Sequence, residues 1–196
     1  MNIDKTKFCL RRKFLEYFIK NDIMQIGDMY FRVYDPSKDQ IVDNYTKEDW
    51  RKILGNTTED DLKDLYTCSN VILLLWCDVV SNTSHGMVYF EEDIKQPCNV
   101  IFHGGTWDHN PKYFTKIFHS IIWLFDFILG FKDSILTTCG ITNITADKFQ
   151  HSLCFEETKR DDISIYKTLN KQMFRDSRFI NKLRIPKNEI VDKSYG

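Results

Sequence analysis

The spacing of apolar residues predicts helices and one strand in the first third of the chain. From Phe8 to Ile23, apolar side chains recur at helical intervals with basic residues between them, which predicts an amphipathic helix. Residues 28–35 alternate apolar and polar side chains and stop at Pro36, as a strand that enters a turn does. Two short helices with Thr N-caps are expected next, in KEDWRKIL and EDDLKDLY.

Three extended runs follow, with short polar turns between them. They are NVILLLWCDVV (residues 70–80), HGMVYFEE (85–92) and CNVIFH (98–103), which together predict an antiparallel meander. The first run is almost continuously apolar, so we expect it to be central and covered on both faces. The third ends in Gly104-Gly105 and feeds a loop, TWDHNP, that places Pro111 in the first turn of a helix.

That helix is expected over Lys112 to Leu129, with Gly130 as its C-cap. The β-branched run at residues 134–138 predicts a strand, and Thr142-Asn143 opens a further helix. Beyond residue 157 the chain is mostly polar, with a weak strand near 163–166 and a helix near 169–179. We expect one domain over residues 1–196, made of an N-terminal part (1–69), a core (70–157) and a C-terminal extension (158–196).

Composition agrees with a mixed α/β domain and narrows the class of function. The 196 residues are 42% hydrophobic, enough for a sizeable core, and a formal net charge of −1 gives no reason to expect binding to nucleic acid or an anionic membrane. The N-terminus lacks a secretory signal, and residues 117–131 are too short and too polar to span a membrane. Six scattered cysteines without a C-x-x-C pair favour a reducing compartment, so we expect a cytoplasmic protein.

The order of elements, together with two local motifs, resembles the GNAT acyltransferases, which bind acetyl-CoA. NITADKFQHSLCF (residues 143–155) is similar to the Asn-x-x-Ala helix that follows a strand in that family. IFHGG (residues 101–105) resembles the point where the family places the pyrophosphate. The resemblance covers residues 70–155 and implies a mixed, mostly antiparallel central sheet flanked by helices. It also implies an acyl-CoA-dependent N-acetyltransferase, in which a primary amine attacks the thioester directly. The thioester would lie in a cleft between the third strand of the meander and the strand at residues 134–138.

The resemblance assigns cofactor-binding roles to specific residues. Backbone N–H groups at a glycine turn before a helix N-terminus attract phosphate, which points to Gly104, Gly105 and Thr106 for the pyrophosphate. A strand amide near Ile101 and Phe102 would polarise the thioester carbonyl. The resemblance also carries over Asn143, the first residue of the Asn-x-x-Ala motif, as a cofactor-binding residue.

Three residues lie where a base could accept the proton of the attacking amine: His103, Glu91 and Glu92. An acidic strand end beside a turn is also typical of a solvated surface, so both roles stay open for the two glutamates. The histidines near the glycine turn lack standard metal-ligand spacing, and we expect no metal.

The chain departs from the family pattern at several positions. Where the family's phosphate loop reads Gln or Arg, two residues, Gly, one residue and Gly or Ala, this chain has HGGTWDHNP, with Asp108 in the turn. Gln150 stands where many members carry a Tyr that protonates the departing thiolate, and Cys154 replaces the Gly before the Phe. These departures keep a rival open, because fold does not by itself imply function. The rival is a catalytically inactive GNAT-like subunit that binds partner proteins or its own copies, for example in a bacteriophage virion.

Overall fold

The computed structural model describes residues 8–21, 24–39, 59–106, 111–177, 180–181 and 190–191. The helices in these ranges are α1 (Leu10–Asn21), α2 (Glu59–Thr67), α3 (Pro111–Leu129), α4 (Ile144–Ser152) and α5 (Lys171–Asp176). The strands are β1 (Met24–Ile26), β2 (Met29–Val33), β3 (Val71–Asp78), β4 (Ser84–Glu92), β5 (Asn99–Thr106), β6 (Ser134–Gly140), β7 (Glu156–Arg160), β8 (Ser164–Asn170) and β9 (Ile190–Val191).

The described strands form one sheet in the order β7-β8-β6-β5-β4-β3-β2-β1-β9. The predicted meander is confirmed, since β3, β4 and β5 pair antiparallel with their neighbours in sequence. The pair β5 and β6 is parallel, and α3 makes the crossover between them, because a parallel pair cannot be joined by a tight turn. The sheet is therefore mixed and mostly antiparallel, as expected.

Helices cover the sheet on both sides. Alternate residues of β3, among them Ile72, Leu74 and Trp76, pack in one core with α1 and α3, and we call this side the α3 face. The intervening residues, such as Leu73 and Leu75, pack with Leu62 of α2 on the other side, which we call the α2 face. All but the last residue of β3 are buried, which confirms its predicted central position.

A polar contact within the larger core fixes α3 on the sheet. The Trp76 indole is 1% exposed and its Nε1 donates to Ser120 Oγ at 3.3 Å, so the one polar atom of a large buried ring has a partner. Asp126, the one acidic residue of α3, is exposed. None of the described helices is long and apolar enough to cross a membrane.

Several boundaries differ from the sequence expectation. A short strand, β1, precedes the predicted one, and Gly27 adopts φ +61° in the turn between them. The edge strand β7 was not predicted, because all five of its residues are exposed and none is apolar. The predicted helix at residues 47–54, its cap Thr46, and the caps Thr57 and Thr58 lie outside the described residues, as does the loop 107–110.

The end of β5 is the correction that bears most on the site. A strand ending at His103 and a turn at Gly104-Gly105 were expected, but β5 continues through Thr106 and pairs with β4 up to Gly86. No glycine of β5 has positive φ, so neither needs the left-handed region that a tight turn would require. The predicted turn is wrong because it rested on the two glycines alone, and both of them are paired with β4 within the strand.

Candidate functional site

The parallel strands β5 and β6 pair over three residues only. Asn99, Val100 and Ile101 lie beside Ser134, Ile135 and Leu136 in register. Beyond that point β5 stays paired with β4 and β6 stays paired with β8, so each strand follows its outer neighbour and the two separate. We call the gap between residues 102–106 and residues 137–140 the strand opening. A cleft between these two strands is where the sequence resemblance places the thioester.

The direction of backbone amides separates the cofactor-binding candidates. The carbonyl of Phe102 accepts a hydrogen bond from Thr137 Oγ1 at 3.1 Å, so the amide groups of Phe102 face β6. Amide groups alternate in direction along a strand, and the N–H and C=O of one residue face the same neighbour. Gly104 therefore also faces the strand opening, whereas Ile101 and Gly105 face β4. The last paired position already uses the N–H of Phe102, so Gly104 and Thr106, further along the strand, are the better placed candidate donors.

Gly104 also has a steric reason to lack a side chain. A Cβ built on Gly104 would lie 3.0 Å from Val88 Cγ1 and 3.2 Å from Phe102 Cζ. The Phe102 ring packs edge-on to Phe125 of α3, with centroids 5.1 Å apart. Close packing under α3 thus explains this glycine. Gly104 is itself exposed.

Three titratable side chains lie together on the α2 face beside the strand opening. His103 is paired with Tyr89 in register, and their rings stack with centroids 4.4 Å apart and an interplanar angle of 12°. Glu91 pairs with Ile101, which makes it a diagonal neighbour of His103 at about 7–8 Å. Two of the three candidate bases, His103 and Glu91, therefore share one surface.

Burial shifts the pKa values of these three groups. Loss of solvent lowers the pKa of His103 to about 4, so its imidazole is neutral at pH 7. Burial, aided by the Glu91 carboxylate, raises the pKa of Tyr89 to about 12. Burial, followed by repulsion from the Asp93 carboxylate, raises the pKa of Glu91 above its ordinary value. The cluster thus combines a neutral imidazole, a protonated phenol and a carboxylate of increased basicity.

Glu92, the third candidate base, lies on the opposite face of the sheet. It is fully buried in an ion pair with Lys132, and its Oε1 also accepts from the backbone N–H of Cys9 at 2.8 Å. Its Oε2 has no hydrogen-bond partner among the described residues, but the ammonium group compensates the charge. Glu92 therefore links β4, the start of α1 and the segment after α3, an arrangement that favours a structural role.

On the α3 face, side chains bridge the strand opening. Thr137 of β6 donates to the Phe102 carbonyl, and Gln150 Nε2 of α4 donates to Thr137 Oγ1 at 3.1 Å and to the Thr138 carbonyl at 3.2 Å. Both Thr137 and Gln150 are buried. A chain of hydrogen bonds thus replaces the missing backbone pairing where the strands begin to separate.

Asn143 and its neighbours fix the start of α4 beside this bridge. Asn143 Oδ1 accepts from the N–H of Ala146 at 3.0 Å, so this candidate cofactor-binding residue serves as the N-cap. Asp147, in the first turn, pairs with the buried Lys167 of β8. The helix that carries Gln150 is therefore anchored to the sheet at its N-terminus.

The remaining sequence candidates all lie at the end of β5. Gly104, Gly105 and Thr106 lie in β5, and residues 107–110, between β5 and α3, lie outside the described part of the chain. Among the described residues there is no group of three metal-ligating side chains. Sequence reasoning did not single out Tyr89 or Thr137, although alternation along HGMVYFEE places Tyr89 on the face of Glu91.

Comparison with known proteins places this architecture in a known fold class. No family model and no curated protein matches the sequence. Among solved structures, apo FdhC, a nucleotide-linked sugar GNAT, is 13% identical with a TM-score of 0.61, over 84% of this chain and 98% of that one. Spermidine N-acetyltransferase from Vibrio cholerae in complex with CoA and spermine is 14% identical with a TM-score of 0.60, over 76% and 99%.

A third match is the aminoglycoside acetyltransferase AAC(6')-Ib in complex with CoA and kanamycin. It is 13% identical with a TM-score of 0.60, over 76% of this chain and 99% of that one. The chain therefore has the fold of the GNAT acetyltransferases. At this level of identity the likeness establishes the fold and leaves the activity to be argued from the site.

Proposed function

We propose that this chain is an acyl-CoA-dependent N-acetyltransferase that transfers an acetyl group to a primary amine. The observation that carries the proposal is the strand opening, with titratable groups on its α2 face and unpaired backbone on its edge. Two of the similar structures hold CoA, and they are named for acetylation of spermidine and of aminoglycosides, both amines. A phage origin has no finding in its support.

The residues around the strand opening fit an acyl-CoA thioester. The amide of Gly104, beyond the paired end of β5, faces the gap as a donor for a carbonyl oxygen. Gly104 is exposed, so a ligand can approach its backbone. Gln150 Oε1 is a buried acceptor with no partner among the described residues, which also fits a polar ligand in the gap. When bound, acetyl-CoA supplies the acyl group as a thioester.

On the α2 face, Glu91 is the residue we assign as general base. Its increased basicity brings it closer to the operating pH, where a base is most effective. Glu91 accepts the proton that the amine nitrogen releases as the C–N bond forms and the C–S bond breaks, and this proton reaches the sulfur through solvent. His103, neutral at pH 7, accepts a hydrogen bond from the amine and orients it.

The test combines cofactor binding with turnover. Acetyl-CoA at 100 times its dissociation constant should stabilise the protein by about 2.7 kcal/mol, a shift of several degrees in melting temperature. Release of free thiol from acetyl-CoA should then depend on an added amine, measured over a panel of polyamines and amino sugars. Glu91→Gln should lower kcat about 10²-fold while keeping acetyl-CoA binding, because general bases contribute about 10²–10⁴.

The matched control is Glu156→Gln, on the exposed edge strand, which should leave kcat unchanged. An absence of any melting shift at millimolar acetyl-CoA would overturn the proposed function. That result would favour the rival, a GNAT-like architectural subunit that binds other proteins or its own copies, and native mass measurement would then be the next step.

A further inference from the structure

Gln150 has a buried side chain whose hydrogen bonds are only partly satisfied. It lies in α4 and is 5% exposed. Its Nε2 bonds to Thr137 Oγ1 and to the Thr138 carbonyl of β6. Its Oε1 has no hydrogen-bond partner among the described residues. The large majority of buried side-chain polar atoms have a partner, so this oxygen calls for an explanation.

The bonding pattern fixes which end of the amide is unsatisfied. The Phe102 carbonyl only accepts, so the Thr137 hydroxyl donates to it and the Thr137 oxygen is left to accept. The Thr138 carbonyl also can only accept a hydrogen bond. The two contacts of Gln150, with the Thr137 hydroxyl and with the Thr138 carbonyl, therefore both require the NH₂ group of the Gln150 amide. Both N–H bonds are then used, and the remaining atom is an acceptor. If the oxygen and nitrogen of the Gln150 amide were exchanged, the amide oxygen would face the Thr138 carbonyl oxygen, and neither atom could donate a hydrogen bond.

An acceptor at this position has a chemical consequence. It has no hydrogen to give to a thiolate, so Gln150 does not replace the proton-donating Tyr that the sequence resemblance places there. A buried carbonyl without a partner is destabilising, and a ligand N–H would satisfy it on binding. The pantetheine arm of CoA carries two secondary amides and therefore two N–H donors. The bridge that Gln150 completes spans β5 and β6 where the strand opening begins.

We propose that Gln150 Oε1 accepts a hydrogen bond from an amide N–H of the pantetheine arm and is a cofactor-positioning residue. This inference rests on the proposed function. The inference goes beyond the proposed function because it assigns the cofactor contact to one atom of this chain. That atom belongs to a residue at the position where the family resemblance predicts a catalytic acid. Through Thr137, the same contact couples the occupied gap to the Phe102 carbonyl of β5.

The test is calorimetric titration of the full-length protein with two ligands. CoA contains the pantetheine arm, and 3′,5′-ADP is the nucleotide half of CoA without it. Gln150→Met keeps the length of the side chain and removes the acceptor, and it should weaken CoA binding about tenfold, equivalent to 1.4 kcal/mol. Binding of 3′,5′-ADP should not change. Gln172→Met, on α5, is the control and should leave both affinities unchanged.

A conservative variant separates the acceptor from the bridge. Gln150→Glu loses the NH₂ group but keeps an acceptor oxygen at the same reach, so it should retain more CoA affinity than Gln150→Met. A purely structural role for the NH₂ bridge would make the two variants equally weak, which would overturn the inference. Melting temperatures of all variants, measured in parallel, establish that each is folded before titration.

The outcomes also separate this inference from the proposed function. If the wild type binds no CoA at millimolar concentration, the proposed function fails. If the wild type binds CoA and Gln150→Met binds it equally well, only the present inference fails, and Oε1 is then satisfied by water. If Gln150→Met loses affinity for CoA and 3′,5′-ADP alike, the effect is a general distortion and the inference is overturned.

Discussion

The two ends of the seam between β5 and β6 are built differently. At the closed end, backbone pairing of residues 99–101 with residues 134–136 is reinforced by the ion pair of Glu92 with Lys132. Lys132 Nζ also donates to the Pro97 carbonyl at 2.5 Å, and Ser134 Oγ donates to Asn99 Oδ1 at 2.7 Å. At the open end, backbone pairing stops and the side chains of Thr137 and Gln150 bridge the strands.

The difference separates residues that hold the fold from residues available to a ligand. Charged groups at the closed end are fully buried, so removing one partner leaves an uncompensated charge. At the open end, the Gln150 oxygen has no hydrogen-bond partner among the described residues, and Gly104 lies beyond the last residue of β5 that pairs with β6. Glu91 and Glu92 are adjacent in sequence, yet Glu91 lies on the α2 face with His103 and Glu92 is buried on the α3 face, because successive strand residues point to opposite faces.

Breaking the closed end should have the largest effect. Glu92→Leu alone should lower the free energy of unfolding by about 3–5 kcal/mol, measured by urea denaturation, because the buried ammonium group of Lys132 loses the carboxylate that compensates its charge. Lys132→Met alone should cost a similar amount. The double variant Glu92→Leu/Lys132→Met should recover most of the loss and still bind acetyl-CoA. Single variants that cost less than about 1 kcal/mol would contradict the structural role assigned to this pair.

His103 should make stability depend on pH. Its pKa is about 4 in the folded protein and about 6.5 when unfolded, so the unfolded chain takes up a proton first as the pH falls. Stability should therefore drop between pH 6.5 and pH 4 by up to about 3 kcal/mol, and His103→Gln should remove that part of the loss. The exposed His151→Gln is the control. An unchanged pH profile in His103→Gln would mean that the imidazole is not desolvated.

Gly104 offers a smaller test of packing beside the strand opening. Gly104→Ala should destabilise the protein by about 1–2 kcal/mol, because its Cβ would lie 3.0 Å from Val88 Cγ1. Gly140→Ala is the matched control, since its nearest neighbour is the Ile163 carbonyl at 3.8 Å, an ordinary contact. Equal melting temperatures for the two variants would contradict the close packing of Phe102 over Gly104.

The smallest expected effect is a gain in stability. Burial and the Asp93 carboxylate raise the pKa of Glu91, so the ionised Glu91 carboxylate is less stable in the folded protein than in the unfolded chain. The contribution of Glu91 to stability is therefore lost as the pH rises through the pKa of Glu91 in the folded protein. Glu91→Gln should therefore raise the melting temperature at pH 7 by about 1–2 °C, and the gain should vanish at pH 4. A lower melting temperature at pH 7 would show that the carboxylate has a stabilising partner.

Local patterns were sufficient to predict most of the fold. Alternation and apolar runs predicted β2, β3 and β4, and helical periodicity predicted α1, α3 and α4, because their core-facing residues are consecutive in the pattern. The edge strand β7 was missed because it buries none of its side chains. The full length of β5 was missed because glycine is read as a turn signal, whereas here Gly104 is required by the packing of Phe102.

The strand opening was predicted only through the family resemblance. It depends on which outer neighbour each strand follows, and those pairings join residues far apart in sequence. The separate positions of Glu91 and Glu92 were available from alternation, since Val88 and Phe90 mark the apolar face that Glu92 shares. The partner of Glu92 could not be predicted from alternation, because Lys132 lies 40 residues away in sequence, beyond the C-terminal end of α3.

The most direct test of the central claim is amide hydrogen exchange along β5 and β6, with and without CoA. If the strand opening binds the cofactor, amides of residues 102–106 and 137–140 should exchange at least about tenfold more slowly with CoA, while residues 99–101 stay unchanged. Protection confined to other parts of the chain, or equal exchange at millimolar CoA, would contradict the claim.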